Sequence, residues 1–145
     1  MTHRLIGNED NHPLAIVVES VASHLLRNQP APICLEVEID YELRLPVDSA
    51  SFCQLIESLV RQSIIEMPDG GEMTITACET PTGVEIEIAD TGGDIESRAC
   101  KLPMIAAAMA AELSWQNCPQ GGGAVTAKLP TYHQNALKSA QRRAA

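Results

Sequence analysis

Two small groups of polar residues have types and spacing that could do chemistry. One is Asp90-Thr91-Gly92, which follows an apolar strand and offers a carboxylate beside a glycine-bearing loop. The other is the pair Ser58 and Gln62, one turn apart on a predicted helix and therefore on one face. The Ser58 hydroxyl is no general base, whereas the Gln62 carboxamide both donates and accepts hydrogen bonds. The structural alternative for Asp90 and Gly92 is a tight turn between a strand and a helix.

Motifs for metal binding are missing from the sequence. Its five cysteines are odd in number and lie far apart without a C-x-x-C pair, which suits neither a zinc site nor a closed set of disulfides. Its four histidines are scattered as well, with no H-E-x-x-H run. The sequence therefore predicts no metal site.

Length and composition limit the function classes. The 145 residues are enough for one ordinary domain with one hydrophobic core. A net charge of −9 repels phosphate backbones, and an aromatic content of 3% leaves little to stack on bases. No apolar run is long enough to span a bilayer, and the N-terminus lacks the apolar core of a signal peptide. We therefore expect a cytoplasmic protein without nucleic-acid or membrane partners.

The first half of the chain alternates between helical and strand periodicity. Apolar residues at helical spacing after Pro13 predict a helix over about 14–28. Residues 33–39 alternate apolar and polar side chains, which predicts a strand with one wet face, and a short second strand is predicted over 42–45. A long helix begins after Asp48, whose carboxylate can cap it, and ends at a Pro-Asp-Gly-Gly turn.

The second half predicts a hairpin, a helix and a last strand. Residues 73–77 and 84–88 alternate on either side of a turn. The alanine-rich residues 102–113 favour a helix, and residues 124–129 alternate again after three glycines.

The predicted strands agree on which of their faces is polar. The side chains that would share this face are Glu36, Glu38, Thr74, Thr76, Glu85, Glu87, Thr126 and Lys128. We therefore predict an α+β fold, a two-layer sandwich with one mixed, mostly antiparallel sheet of about five strands and helices on one face. The glutamates would form either a solvated face or an acidic docking surface.

The order of these elements and their motifs resembles the ATP-binding domain of histidine kinases and other GHKL-type ATPases, which have the Bergerat fold. Residues 55–75, LIESLVRQSIIEMPDGGEMTI, are similar to the N-box of that family and its following turn. Residues 84–92, VEIEIADTG, are similar to its strand and first glycine box, and residues 121–130, GGGAVTAKLP, to its final turn and strand.

The resemblance covers the chain from about residue 33 to residue 130. It implies one domain over residues 1–130, with its core at 33–130 after the N-terminal helix. Residues 131–145 would be a C-terminal tail.

The resemblance also implies where a nucleotide site would lie. Gln62 stands where the family has the Asn that reaches the phosphates through Mg²⁺, and Ser58 where it has an Asn or an acidic residue. Asp90 and Gly92 match its adenine-contacting Asp and its first Gly. We expect Gln62, Asp90 and Gly92 to mark a vestigial pocket with no metal ligand and no catalytic residue.

Several departures from the family pattern oppose ATP binding. Gln62 is one methylene longer than Asn, and Mg²⁺ tolerates little deviation from octahedral geometry. Asp94 replaces the second glycine and adds negative charge beside the phosphate position. No glycine lies between Asp94 and Gln120, so the phosphate-cradling lid is missing, and Lys101 or Arg98 could stand in only as point charges. We expect no cofactor, with weak binding of ATP and Mg²⁺ left open.

Three functions are compatible with these residues. The first is a catalytically inactive relative of the histidine-kinase ATPase domain that binds another signalling protein or a second copy of itself, with the predicted helix over 102–113 as contact surface. The alternative is a small ATP-binding protein kinase resembling the anti-sigma-factor serine kinases, which would need Gln62 to coordinate Mg²⁺. A phosphotransfer adaptor that docks a response regulator is the third, although a hairpin with an acceptor histidine is missing.

Overall fold

Residues 12–45 and 47–130, which this computed structural model describes, fold into a five-stranded sheet with helices on one face. The helices are α1 (Leu14–Arg27), α2 (Ser49–Ile65) and α3 (Met104–Ala108), and a single 3-10 turn covers Ile95–Ser97. The strands are β1 (Ile33–Glu38), β2 (Gly71–Thr80), β3 (Gly83–Asp90), β4 (Glu112–Asn117) and β5 (Gly123–Pro130).

The sheet has the order β1-β2-β3-β5-β4. Only β1 and β2 are parallel, joined through α2, while β2–β3, β3–β5 and β5–β4 are antiparallel. The predicted α+β class, with a mixed and mostly antiparallel sheet, is confirmed. The assignment of residues 1–130 to one domain stays a prediction, since residues 1–11 and the tail over 131–145 lie outside the described residues.

One hydrophobic core fills the space between the helices and the sheet. The helices contribute side chains at helical spacing and the strands every second side chain, as their periodicities predict. The largest fully buried members include Leu14, Val18, Phe52, Leu55, Ile56, Met73, Ile75, Ile86 and Ile88. This core holds the end of α2 against β3, which is where the polar residues singled out above converge.

The opposite face of the sheet is open and acidic. Glu36 and Glu38 are exposed on β1, and Glu85 and Glu87 are half-buried on β3. A hydrogen bond with Glu38, together with its negative charge, raises the pKa of the Glu36 carboxyl.

The predicted second strand over residues 42–45 is wrong. Arg44 pairs with Pro13 as an isolated β-bridge, and the backbone N–H of Leu14 donates to the Leu43 carbonyl at 2.8 Å. This segment therefore pairs with the backbone at the start of α1 and lies outside the sheet. Its apolar side chain Leu45 is buried in the core, which explains the alternating pattern.

The helix predicted over residues 102–113 exists but is shorter than predicted, because α3 begins at Met104 and ends at Ala108. Ala110 adopts a left-handed φ of 55°, which a helix does not tolerate. Beyond it, residues 112–117 form the edge strand β4, paired with β5 so that Leu113 lies opposite Ala127 and Trp115 opposite Val125. Pairing with a free sheet edge and half-burial of Trp115 outweigh the helix propensity of the alanines.

The hairpin between β2 and β3 is tighter than its sequence suggests, since only Pro81 and Thr82 lie between the paired residues Thr80 and Gly83. Gly83 is buried against β5, and a Cβ there would collide with the carbonyl oxygen of Leu129.

No helix among the described residues combines the length and apolar character needed to cross a bilayer.

We expect Asp48→Ala to lower the free energy of unfolding by about 1 kcal/mol. The Asp48 carboxylate accepts a hydrogen bond from the backbone N–H of Ser51 at 2.9 Å and so caps α2. This bond holds the pKa of Asp48 below its ordinary value, so the stabilisation is present above that value and is lost as the pH falls through the lowered one. Urea unfolding at pH 7 and pH 3 measures both effects.

Asp48→Asn is the matched variant, because an asparagine side chain also caps helices well. It should retain most of the stability at pH 7. An Asp48→Ala protein as stable as the wild type would contradict the assignment of this cap.

Candidate functional site

The polar residues singled out in the sequence converge on a cavity of about 250 Å³ at one end of the sheet. Its walls are the last turns of α2, the ends of β3 and β5, and the segment over residues 94–103, which we call the strap. The strap links the loop after β3 to α3 and crosses the cavity from Asn117 on β4 to Gln62 on α2. Most of the interior is apolar, with Leu59, Ile88, Trp115 and Val125 among its lining side chains.

Asp90, the last residue of β3, lies at the polar end of this cavity with a side chain only 2% exposed. The Ser63 hydroxyl donates a hydrogen bond to its Oδ2 at 2.5 Å. The backbone N–H of Gly92 donates to its Oδ1 at 2.9 Å, which closes a local turn. The two carboxylate oxygens therefore each accept one hydrogen bond, Oδ2 from α2 and Oδ1 from the loop after β3.

Arg98 of the strap completes the environment of Asp90. Its guanidinium forms a two-pronged ion pair, with Nη2 at 2.6 Å from Oδ1 and Nη1 at 2.9 Å from Oδ2. The same group donates to the carbonyl of Gly93 from Nε at 3.0 Å and from Nη2 at 2.7 Å, and Nε lies 3.7 Å from a carboxylate oxygen of Glu66. A planar guanidinium matches two carboxylate oxygens at once, which a lysine ammonium cannot do.

Burial and pairing act in opposite directions on these two groups. Burial alone would raise the pKa of the Asp90 carboxyl, but the hydrogen bonds from Arg98, Ser63 and the Gly92 N–H outweigh it and hold the pKa below the ordinary 3.8. The hydrogen bond to Asp90 raises the pKa of Arg98, against the opposing effect of burial. Both side chains are charged at neutral pH, and together they carry no net charge.

Gln62 anchors the far side of the strap. Its Nε2 donates to the carbonyl of Lys101 at 2.9 Å, and its Oε1 accepts from the backbone N–H of Lys101 at 3.2 Å. The preceding residue, Cys100, adopts a left-handed φ of 47°, which is uncommon for a residue other than glycine. Both ends of the carboxamide are thus used to hold the strap in this conformation.

Glycines let the surrounding loops approach closely. A Cβ at Gly92 would lie 2.6 Å from the carbonyl oxygen of Glu66, so this glycine allows the loop after β3 to meet the end of α2. A Cβ at Gly123 would lie 2.8 Å from the Cζ of Arg98, so the guanidinium occupies the space that a larger residue would fill. Gly122 has a φ of +89°, which favours glycine.

The start of the strap is fastened to β4. The Asn117 side chain accepts from the backbone N–H of Ile95 at 2.8 Å and donates to the Glu96 carboxylate at 3.0 Å and 3.1 Å. This donation lowers the pKa of the Glu96 carboxyl. The strap is therefore held at Asn117, Asp90 and Gln62.

The structure brings the three predicted site residues together and adds others. Gln62 and Asp90 both line the cavity, and Gly92 lies beside it with its N–H on Asp90. Half-buried Ser58 does not line the cavity. Among the described residues, no group of three or more His, Cys, Asp or Glu side chains could hold a metal ion.

Sequence reasoning missed the roles of Ser63, Arg98 and Trp115. Ser63 had a usable signal, because a serine within the apolar stripe of a helix is buried and needs a hydrogen-bond partner. The sequence carries no such signal for Arg98 or Trp115, because the position of Arg98 depends on the path of the strap and that of Trp115 on the existence of β4.

We expect Arg98→Met to lower the free energy of unfolding at pH 7 by about 3–5 kcal/mol, because it leaves the buried Asp90 carboxylate without its countercharge. Arg61→Met is the matched control, since Arg61 pairs with Glu57 in an exposed ion pair whose side chains are 58% and 49% accessible. The control should cost less than about 1 kcal/mol. Urea unfolding measures both, and equal costs would contradict a structural role for the buried pair.

The pH dependence gives a second readout of the same pair. The pKa of Asp90 is lowered in the folded wild type, so its stabilisation is complete above the ordinary value of 3.8 and is lost as the pH falls through the lowered value. Without Arg98, burial favours the protonated acid. The difference in stability between wild type and Arg98→Met should therefore begin to shrink above the ordinary value of 3.8, where the variant binds its proton, and shrink further as the pH falls through the lowered value of the wild type.

Comparisons with known proteins identify the fold. No family model matches the sequence, and no curated protein matches it at a significant level. Solved structures do match. The catalytic domain of histidine kinase ThkA is 16% identical with a TM-score of 0.65, over 83% of this chain and 95% of that domain.

Two further histidine kinases give the same result. The mycobacterial sensor histidine kinase MprB is 16% identical with a TM-score of 0.64, over 82% of this chain and 96% of that one. The ATP binding domain of PrrB from Mycobacterium tuberculosis is 19% identical with a TM-score of 0.58, over 84% and 98%. At these identities the likeness concerns the fold, and the chain has the histidine-kinase-like fold of GHKL ATPase domains that its motifs predict.

Proposed function

We propose that this protein is a catalytically inactive member of the histidine-kinase-like ATPase fold that acts by binding another signalling protein. The observation that carries the proposal is the ion pair between Arg98 and Asp90. Asp90 is the residue that, by resemblance, would contact adenine. An adenine amino group at this carboxylate would have to displace a charged, two-pronged partner.

The position of Gln62 supports the same proposal. By resemblance this residue would approach Mg²⁺ through its carboxamide oxygen, but that oxygen accepts the N–H of Lys101 and the amide nitrogen donates to the Lys101 carbonyl. Freeing the oxygen would break the attachment of the strap to α2. The residues present therefore do not fit a bound Mg²⁺ and nucleotide, and no catalytic step through them is proposed.

The size of the cavity adds to this argument. Pockets for drug-sized ligands have volumes of about 300–1,000 Å³, whereas this cavity has about 250 Å³. Arg98 and the backbone of the strap fill the side that faces Asp90. Nucleotide binding would therefore require the strap to leave its three attachments.

A cluster of exposed apolar side chains beside the cavity is suited to contact a partner. Ile65 at the end of α2 is 71% exposed, Leu102 in the strap 68%, and Met104 at the start of α3 93%. The hydrogen bonds between Gln62 and Lys101 bring these two segments together. We call Ile65, Leu102 and Met104 the rim cluster. Exposed apolar clusters of this kind mark interaction sites more often than isolated exposed residues do.

We expect magnesium and ATP at 5 mM to leave the melting temperature of the wild type unchanged, compared with magnesium and tripolyphosphate at the same concentration. A specific ligand at a hundred times its dissociation constant would add about 2.7 kcal/mol and raise the melting temperature by several degrees. Thermal unfolding and calorimetric titration measure this. A specific rise with ATP would instead favour the ATP-binding kinase.

We expect the double substitution Leu102→Glu and Met104→Glu to weaken binding of the cellular partner by about tenfold or more. The partner would be captured by cross-linking in extracts of the source cells, identified, and then titrated in purified form. Tyr41→Glu is the matched control, because Tyr41 is 61% exposed and lies outside the rim cluster.

All the variants should keep the unfolding temperature of the wild type. Loss of binding in Tyr41→Glu, or unchanged binding in the double variant, would contradict the role of the rim cluster. Light scattering of the wild type would show whether the partner is a second copy of the chain.

A further inference from the structure

The face of the sheet opposite the helices presents side chains in rows, because paired strands align their residues across the sheet. The strand register defines three of these rows. The first consists of Cys78, Glu85, Lys128 and Glu112, the second of Glu38, Thr76, Glu87, Thr126 and Ser114, and the third of Glu36, Thr74, Ala89, Ala124 and Gln116. We call the side chains of these three rows the open face.

The open face carries an excess of negative charge. Each row contains at least one glutamate, whereas Lys128 is the only lysine or arginine in the five strands. Lys128 lies opposite Glu85 on one side and Glu112 on the other, so its charge compensates only part of that of its own row. Glu36, Glu38 and Glu87 in the other rows have no cation beside them on the strands. The occupant that this face fits is therefore a cationic segment.

A cationic segment continues directly from β5. The tail over residues 131–145 contains Lys138, Arg142 and Arg143, which are three of the ten lysines and arginines of the chain, and none of its nineteen acidic residues. The net charge of −9 is therefore divided unequally, with a positive tail joined to an acidic remainder.

Two depressions lie between the start of this tail and the middle of the open face. The first, of about 460 Å³, is lined by Pro130 at the end of β5 and by Glu85, Glu112 and Lys128 among others. The second, of about 260 Å³, is lined by Glu85 and also by Glu87. Because Glu85 belongs to both, the two depressions follow each other along β3. A chain that leaves Pro130 can enter them in that order.

The tail is long enough to reach every row. Lys138 is eight residues beyond Pro130, and an extended chain of that length spans up to about 26 Å. The three strand spacings from β5 to β1 amount to about 14 Å, and four residues along a strand from the first row to the third to about 13 Å. All glutamates of the open face are therefore within reach of the tail.

Attachment to β5 also favours the contact entropically. A segment tethered beside its binding surface has an effective concentration of about the millimolar range. Exposed ion pairs are individually weak, but several pairs formed at such a concentration can hold the segment in place.

We propose that the tail over residues 131–145 lies across the open face of its own chain, with Lys138, Arg142 and Arg143 against the glutamates of the three rows. Docked there, it makes the open face unavailable to other cationic segments. The inference goes beyond the proposed function, since the rim cluster belongs to the side of the sheet that carries the helices.

The test follows backbone amide resonances of the full chain as salt is added. The Debye length falls from about 10 Å at 0.1 M salt to about 3 Å at 1 M, which screens exposed ion pairs. We expect the amide resonances of Thr76 and Thr126 to move between 0.05 M and 1 M sodium chloride, because the tail leaves the open face. The double variant Arg142→Glu and Arg143→Glu should reduce this movement about threefold or more.

The matched control is the double variant Arg27→Glu and Arg61→Glu. It makes the same change of charge at two exposed positions on the helices. Its salt-dependent movement at Thr76 and Thr126 should equal that of the wild type. A movement as small as in the tail variant would show that net charge, and not docking of the tail, is responsible, and would overturn the inference.

A charge exchange tests the contact itself. Glu85→Arg with Glu87→Arg should reduce the salt-dependent movement as the tail variant does, and combining the two double variants should restore about half of it or more. If the substitutions at the half-buried Glu85 and Glu87 prevent folding, Glu36→Arg with Glu38→Arg on the exposed positions of β1 replaces them. Absence of this restoration would contradict an ion-paired contact between tail and face.

Isotope mixing distinguishes the same chain from a second copy. A carbodiimide joins the Lys138 amine to a carboxylate in contact with it, and an equal mixture of ¹⁵N-labelled and unlabelled protein should give joined peptides of one isotope only. Peptides of mixed isotope would make a second copy the occupant and overturn the inference. Salt-dependent movement that is absent in the wild type, or unchanged in the tail variant, would overturn it as well.

Discussion

The ion pair between Arg98 and Asp90 is the interaction on which the candidate site depends. An aspartate at the end of a central strand, buried against a helix, is unfavourable unless its charge is compensated. Ser63 and the Gly92 N–H supply two hydrogen bonds, and Arg98 supplies the countercharge. Once Arg98 is in place, the strap must run across the cavity, and its backbone can reach Gln62 on the other side.

This arrangement determines which polar atoms of the candidate site are free to bind. The scaffold positions Gln62, Asp90 and Gly92 where the family resemblance places a nucleotide site, yet the hydrogen-bonding atoms of the first two are bonded to residues of the strap. A scaffold determines where side chains lie, whereas the neighbouring side chains determine whether they are free to bind. The rim cluster lies beside the strap: the strap exposes Leu102, and Met104 follows directly after it at the start of α3.

Much of the fold could be predicted from the sequence, because α1, α2 and the central strands have clear periodicities and their faces agree. The edge strand β4 could not be predicted from the sequence. Residues 112–117 carry no β-branched residue and follow an alanine run, so the free edge of β5 explains why they form a strand. Conversely, residues 42–45 alternate apolar and polar side chains as a strand does, but they pair with the start of α1 instead of joining the sheet.

The site was predictable in part. The family resemblance, and not the spacing alone, predicts that Gln62 on α2 lies near Asp90 and Gly92 at the end of β3, and the structure brings these elements together at one cavity. The role of Arg98 depends on a contact with Asp90, eight positions earlier in the chain, across a loop and a 3-10 turn whose path no periodicity predicts. Sequence reasoning considered it only as a point charge toward phosphate, whereas it pairs with Asp90 inside the protein.

The most direct measurement of this account is the side-chain nitrogen spectrum of Arg98 at neutral pH. We expect separate, slowly exchanging Nη resonances for Arg98, because both nitrogens are bonded to Asp90, and averaged resonances for the exposed Arg61. Addition of ATP and magnesium should leave the Arg98 resonances where they are. Averaged resonances for Arg98, or their displacement by the nucleotide, would contradict the claim that the arginine occupies this site.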